Sequence, residues 1–335
     1  MIPVDRMASN TYALNSSEFN RDESNINLFF STMHIRNELY ESGQIEKIIE
    51  FYNSFQSTFE LINWMKERPK GRYRIIVSQG DPDYLVVIPT IDHTSKFSQT
   101  CVNDIFRGMT VIFVESGRNL YFNYAYNVNA GIRYAMNLCP KWIIVSNDDM
   151  YKIDESESLI RELKRCSENN IQIALPRNGD LGYISKYRSF INWLTPIIRI
   201  YKPFIEVEKK FGIGYRFYLK EYKKSKKIEN FIFIKKILPV KFLGSFFALS
   251  LDYCRAMMGK VFDDTYVNGF EDIDLVLLTI ARPSKVKQID YKIGDMGGQS
   301  LGRGGLRSNY KGILNRAYFN YKQSDFLSNI KSRNK

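Results

Sequence analysis

Three short, β-branched apolar runs constrain this chain more than any other feature: Tyr84-Leu85-Val86-Val87-Ile88-Pro89-Thr90, Thr110-Val111-Ile112-Phe113-Val114 and Trp142-Ile143-Ile144-Val145. A strand with one wet face alternates apolar and polar residues, whereas a strand covered on both faces reads as an unbroken apolar run. All three runs are of the second kind. Helical patterns separate them, at 98–107 and 124–138, and a further helix (155–168) and strand (171–175) continue the alternation. Such β-α-β repetition predicts an α/β fold whose mostly parallel sheet carries helices on both faces. Ligands in such sheets bind beyond the carboxyl ends of the strands.

Other segments attach to this unit. Residues 1–30 read as a polar lead-in, and the apolar spacing from Ile45 to Ile62 predicts one or two amphipathic helices within 33–68. Residues 1–80 are therefore expected to form an N-terminal helical appendage, with a short strand at 73–77. The α/β domain is expected over 81–310 and a helical tail over 311–335. Downstream, 242–251 reads as a strand or strand-turn, 252–259 and the stretch after Gly269 as helices, and 294–305 as a glycine-rich loop.

Charge is concentrated in one place. Between Lys186 and Lys241 there are 15 Lys/Arg and 4 Asp/Glu, which leaves 33 basic and 32 acidic residues for everything else. One segment thus carries nearly all of the formal net charge of +12. With its interleaved tyrosines and phenylalanines, it predicts a basic aromatic helical insertion at about 180–241 that attracts an anionic partner. The four cysteines are scattered, with no CxxC pair, and there are only two histidines, His34 and His93. That argues against a Cys/His zinc site and for reduced thiols, hence a cytoplasmic protein. No leader-like apolar segment opens the chain, and no uncharged run approaches the roughly 18 apolar residues of a membrane span.

Two acidic clusters could carry chemistry. Asn147-Asp148-Asp149 follows the third strand directly. Hard divalent cations take oxygen ligands, and adjacent carboxylates at a strand end can hold one against a diphosphate. The same residues would equally serve as a helix N-cap. Glu271-Asp272-Ile273-Asp274 crowds three carboxylates, which suits a general base, although acidic residues in a first helical turn also satisfy the helix dipole. Phe262-Asp263-Asp264 reads as a turn.

Taken in order, these pieces resemble family 2 glycosyltransferases, which have the GT-A fold: Val86-Val87-Ile88-Pro89-Thr90, Val114-Glu115-Ser116-Gly117, Tyr124-Ala125 with Asn129-Ala130-Gly131-Ile132, Asn147-Asp148-Asp149, Gly244, Phe262-Asp263-Asp264 and Phe270-Glu271-Asp272-Ile273-Asp274-Leu275. The resemblance covers about 84–310. It implies inverting, hexosyl-type transfer from a nucleoside-diphosphate sugar to an acceptor hydroxyl, assisted by Mn2+ or Mg2+. By the same resemblance Pro89 and Thr90 line the nucleotide crevice, and Glu115 contacts the base or ribose. Asn129 supports the donor pocket, Asp148 helps hold ribose or metal, and Asp149 binds the metal. Asp272 is the implied acceptor base, supported by Glu271. Asn147 stands where the family's D-x-D motif opens with Asp. Some members add a histidine metal ligand late in the domain; neither His34 nor His93 suits that position, and Asp295 or water is the substitute.

The implied partners are a nucleotide sugar and a glycan, lipid-linked or protein acceptor. The basic insertion adds peripheral contact with an anionic membrane surface; nucleic acid is the less favoured partner. A sugar-phosphate nucleotidyltransferase would need a glycine-rich loop after the first strand, where Ile91-Asp92-His93-Thr94-Ser95-Lys96 has none. The alternative from another class is a non-enzymatic binding protein that uses the basic aromatic segment on nucleic acid or anionic membrane.

Overall fold

The computed structural model describes residues 55–117, 122–177, 244–281, 284–296, 314–315 and 317–323. The basic insertion, most of the N-terminal helical expectation and residues 297–313 lie outside the described residues.

The elements run in the order α1 (Thr58–Glu67), β1 (Arg74–Ser78), β2 (Asp81–Thr90), α2 (Lys96–Thr100) with a π-helical turn (Cys101–Ile105), β3 (Met109–Glu115), α3 (Tyr124–Asn137), β4 (Trp142–Ser146), β5 (Met150–Lys152), α4 (Ser156–Glu168), β6 (Ile173–Pro176), β7 (Phe246–Ser250), α5 (Leu251–Ala256), α6 (Glu271–Ala281), β8 (Val286–Ile289) and β9 (Ile293–Asp295). Residues 314–315 and 317–322 are helical and belong to a C-terminal helix. Side chains start the helices where the sequence supplies them. Ser57 accepts from Glu60 N, Asn123 from Tyr126 N and Ser250 from Tyr253 N, each meeting a backbone donor that the first turn leaves over.

Seven strands form a sheet in the order β1-β3-β2-β4-β7-β6-β8. The sheet is mixed. β2 pairs in parallel with β3 and β4, and β6 with β8, while β1–β3, β4–β7 and β6–β7 are antiparallel. Five strands therefore share one direction, and β1 and β7 oppose it. The mostly parallel expectation holds for those five strands, and β1 and β7 make the sheet mixed, because β-α-β spacing shows only neighbours joined by a crossover. β7 follows the long segment 178–243, whose length leaves its direction open. Residues 74–78, placed by the sequence reading in a helical appendage, pair with β3 and form the edge of the main sheet.

The apolar runs behave as their composition demands. Val86, Ile88, Val111, Phe113, Trp142 and Ile144 pack on one face with Leu159, Leu163 and Cys166 of α4. Their alternating neighbours Leu85, Val87, Ile112, Val114, Ile143 and Val145 pack on the other with Ala125, Val128, Ile132 and Ala135 of α3. The period of two along a strand makes this division, and both faces are dry. α3 lies close to the sheet: a Cβ on Gly131 would stand 2.3 Å from Val87 Cγ1 and 2.8 Å from Val114 Cγ2, so only glycine permits this spacing. The arrangement is α/β, a mixed sheet between helices, and is compatible with a Rossmann-like fold.

The segment expected to be a loop from 294 departs from that reading at its start. Ile293–Asp295 is β9, which pairs antiparallel with β5, setting Met150 against Asp295. Met296 N also donates to Asp149 O at 3.0 Å. Three residues leave too little pattern for a strand to be read from sequence. Among the described residues, no helix is long and apolar enough to cross a membrane.

Candidate active site

Beyond the carboxyl ends of β2 and β4 lies a cavity of about 280 Å3. Pro89 and Thr90 end β2 and Ile91 follows it, and Asn147, Asp148 and Asp149 come from the turn after β4. Gly244 precedes β7, Phe122 lies just before α3 and Tyr124 opens it, and Phe262 and Asn268 come from the long turn before α6; Gly269, Glu271 and Asp272 complete the wall. The two acidic clusters, more than a hundred residues apart in sequence, thus face one space.

Strand register builds the first wall. Thr90 Oγ1 donates to Asp148 Oδ2 at 2.7 Å and lies 3.0 Å from Ser98 Oγ, which itself donates to Asp92 O. Asp148 and Asp149 are buried, at 8% and 3% exposure. The antiparallel β7 begins where β4 ends, since Ser146 pairs with Phe246 and Asn147 N donates to Ser245 O at 2.9 Å. Gly244 is carried to the cavity in this way. A Cβ there would sit 3.1 Å from Asp272 Oδ2, so the bare backbone allows the two walls to approach.

The second wall is built from loops. Asn123, before α3, donates through Nδ2 to Asp264 O and Tyr266 O, both at 2.9 Å. Asn268 accepts from Tyr124 N at 2.7 Å and donates to Phe122 O at 3.1 Å. Asn268 and Phe270 hold left-handed φ values of 47° and 77°, strained for side-chain-bearing residues and placed directly before the Glu271–Asp272 pair. Gly269 N donates to Glu271 Oε2 at 2.6 Å, and Ile273 N to Asp272 Oδ1 at 2.8 Å.

Tyr124 senses both walls. Its hydroxyl donates to Gly244 O at 3.1 Å. Its pKa stands well above the ordinary tyrosine value, through desolvation first and then the negative charges of Glu271, Asp272, Asp149 and Asp295. The phenol therefore stays protonated and remains a donor among carboxylates. Behind the first wall, burial pushes the Cys101 thiol up to about 12, helped by the charges of Asp148 and Asp149.

Of the residues named from sequence, Pro89, Thr90, Asp148, Asp149, Glu271 and Asp272 line the cavity, whereas Glu115 and Asn129 do not. Asn129 stands behind it: Nδ2 donates to Phe262 O at 2.7 Å and Oδ1 accepts from Phe262 N at 3.0 Å. It holds the Phe262 backbone from the buried side of α3. Glu115 pairs in register with Thr90, but its carboxylate turns to Arg74, at 2.6 Å from Nε, and to the ring and backbone N–H of His93. Burial alone would raise its pKa; the His93 and Arg74 contacts outweigh it and hold Glu115 below the usual carboxylate value. Asp92, His93 and Glu115 could offer metal-ligand atoms within 4.8 Å of one another. The Arg74 cation on the same carboxylate makes the group an ion-pair cluster as it stands. Asp295 is joined to the first wall through β5–β9 and does not line the cavity.

Tyr124, Gly244 and Phe262 carried the family resemblance without a role at the site. Phe122 and Asn268 were missed altogether as lining residues. An Asn-Gly pair ahead of an acidic helix start is the one local signal for Asn268; nothing local marks Phe122. Comparison of the chain with family models, with curated proteins and with solved structures finds no match. The class that fold and cavity define is thus an α/β protein with an acidic crevice at the strand ends.

Proposed function

We propose that this protein is a glycosyltransferase of the GT-A kind, moving a sugar from a nucleoside diphosphate to an acceptor hydroxyl with inversion. The observation that carries this reading is the meeting of Asp148/Asp149 and Glu271/Asp272 across one cavity, with Tyr124 under the influence of both. A single displacement needs leaving-group stabilisation on one side of the anomeric carbon and a proton acceptor on the other.

The donor set fits a hard divalent cation. Asp148 and Asp149 present carboxylate oxygens, with the Asn147 amide beside them. Asp149 would hold Mn2+ or Mg2+ with help from Asp148, and such an ion would offset charge on the departing diphosphate. On the opposite wall, Asp272 takes the proton of the acceptor hydroxyl. As it does so, the acceptor oxygen forms its bond to the anomeric carbon and the bond to the diphosphate oxygen breaks. Glu271, tied to Gly269 N, orients the start of α6. Phe122 and Phe262 give the cavity apolar surface that excludes water, limiting hydrolysis of the donor.

The test is hydrolysis and transfer of a panel of nucleotide sugars with and without Mn2+, alongside thermal shifts with nucleoside diphosphates. Mn2+-dependent stabilisation by a nucleoside diphosphate, with turnover of its sugar, is expected. Neither effect with any nucleotide, together with salt-sensitive retention on DNA or anionic vesicles, would replace this reading with the binding-protein alternative.

A further inference from the structure

A second acidic pair lies behind the Glu271–Asp272 wall, and the mechanism above leaves it unused. Asp263 belongs to the long turn before α6, and Asp274 to the first turn of α6. Both are met by one cation from the C-terminal helix. Lys322 Nζ lies 2.5 Å from Asp263 Oδ2 and 2.7 Å from Asp274 Oδ2, and these carboxylates are only 15% and 7% exposed. Gln323 Nε2 donates to Asp274 Oδ1 at 2.8 Å, Tyr318 OH to Asp263 Oδ2 at 2.8 Å, and Tyr266 OH to Asp274 Oδ1 at 3.2 Å.

The same helix holds the strained turn between these carboxylates. Asn315 accepts from Val267 N at 2.8 Å and donates to Val267 O at 3.0 Å, replacing the pairing that a strand neighbour would supply. Phe319 packs edge-on against Phe270 with ring centres 5.6 Å apart, and Tyr318 against Tyr266 at 4.9 Å. Left-handed Asn268 and Phe270 persist only where surrounding contacts over-determine them. Asn268 is held by Phe122 and Tyr124, and the C-terminal helix provides the contacts around Val267 and Phe270, from roughly fifty residues further along the chain.

We propose that Lys322 is a positioning residue: by bridging Asp263 and Asp274 it holds the strained turn and the start of α6 so that Glu271 and Asp272 face the cavity. The proposal rests on the glycosyltransferase reading for its effect on turnover, and on geometry alone for its effect on α6. Two carboxylates this buried would repel each other without a cation between them, and the turn would relax. The β4 wall makes none of these contacts, so the two walls should respond differently.

The test uses the full chain with Lys322→Gln and Lys322→Arg. Hydrogen exchange is followed at 263–275 and at 142–149, binding of uridine diphosphate with Mn2+ by calorimetry, and turnover on whichever nucleotide sugar the wild type consumes. In Lys322→Gln, exchange should quicken at 263–275 and stay unchanged at 142–149. Diphosphate affinity should stay within about twofold, and kcat should fall roughly 10- to 100-fold, as displaced catalytic groups do. Lys322→Arg, which keeps the charge, should recover most of both losses. Wild-type exchange in Lys322→Gln overturns the proposal, as does a Lys322→Arg protein no better than Lys322→Gln. Equal quickening at both walls also overturns it, because the role would then be general stability. If Lys322→Gln fails to fold, Gln323→Leu removes one bond to Asp274 and is read by the same exchange pattern. A wild type that neither binds diphosphate nor turns over any nucleotide sugar sinks the glycosyltransferase reading, while the exchange comparison still decides the role of Lys322.

Discussion

The two walls of the cavity are acidic in similar measure but are held by different means. Asp148 and Asp149 follow a central strand with neighbours on both sides, and the Thr90 hydroxyl holds Asp148 from the adjacent strand. Glu271 and Asp272 follow a turn with two left-handed residues, and contacts from α3 and the C-terminal helix keep that turn in place. The first wall inherits the rigidity of the sheet, while the second depends on distant parts of the chain arriving correctly. A carboxylate that must hold an ion against a diphosphate gains from the first arrangement. One that meets a variable acceptor can tolerate the second.

The largest expected effect comes from removing the centre of the rigid wall. Asp149→Ala should abolish Mn2+-dependent diphosphate binding and sugar transfer with the thermal midpoint near wild type. Wild-type turnover in the purified variant would show that the two walls are not divided in this way. Next, Asp272→Asn keeps the shape and removes the proposed proton acceptor. Turnover should drop roughly 10²–10⁴-fold with little change in donor affinity, and Glu271→Gln should be milder. A dead Glu271→Gln beside an active Asp272→Asn would exchange their roles.

Gly244→Ala probes the line where the walls meet. Its new Cβ would press on Asp272 Oδ2 from 3.1 Å, so turnover should fall roughly tenfold through displacement of that carboxylate. Diphosphate affinity, measured by calorimetry on the same protein, should hold. An equal loss of both would mean that Gly244 serves the β4 wall instead.

The smallest effect is read from pH. Burial alone would raise the Asp263 carboxyl, but Lys322 and the bonds from Thr265 N and Tyr318 OH lower it to about 2. The folded value lies below the unfolded one of about 3.9, so this group's stabilisation is complete above the unfolded value and is lost as pH falls toward 2. Its size is on the order of 2 kcal/mol. Denaturant midpoints measured between pH 6 and 2.5 should fall more steeply for wild type than for Asp263→Asn. Parallel curves would detach the second wall from this ion pair.

Much of the fold was legible because buried parallel strands announce themselves in their own residues. The runs at 84–90, 110–114 and 142–145 lie within β2, β3 and β4. β1 was legible as a strand but not as part of the sheet, since its partner β3 is named only by pairing. Six of the eight residues assigned to the site line the cavity. The position of Glu115 beside Thr90 was visible in the alternation, whereas the Arg74 and His93 groups that engage its carboxylate were not. β5 and β9 are three residues each, too short for a period to emerge.

By itself the sequence determined which segments are strands covered on both faces, and that acidic residues follow β4 and open α6. Those are local properties, written in hydrophobic period and in the residues at element ends. Only the tertiary structure decided that β7 runs against β4 and brings Gly244 to Asp272, that Asn129 holds Phe262, and that Lys322 lies between Asp263 and Asp274. Each of these joins residues that are far apart along the chain. Local preference carries no information about such pairs, because they form only when burial of the two sheet faces has brought the segments together.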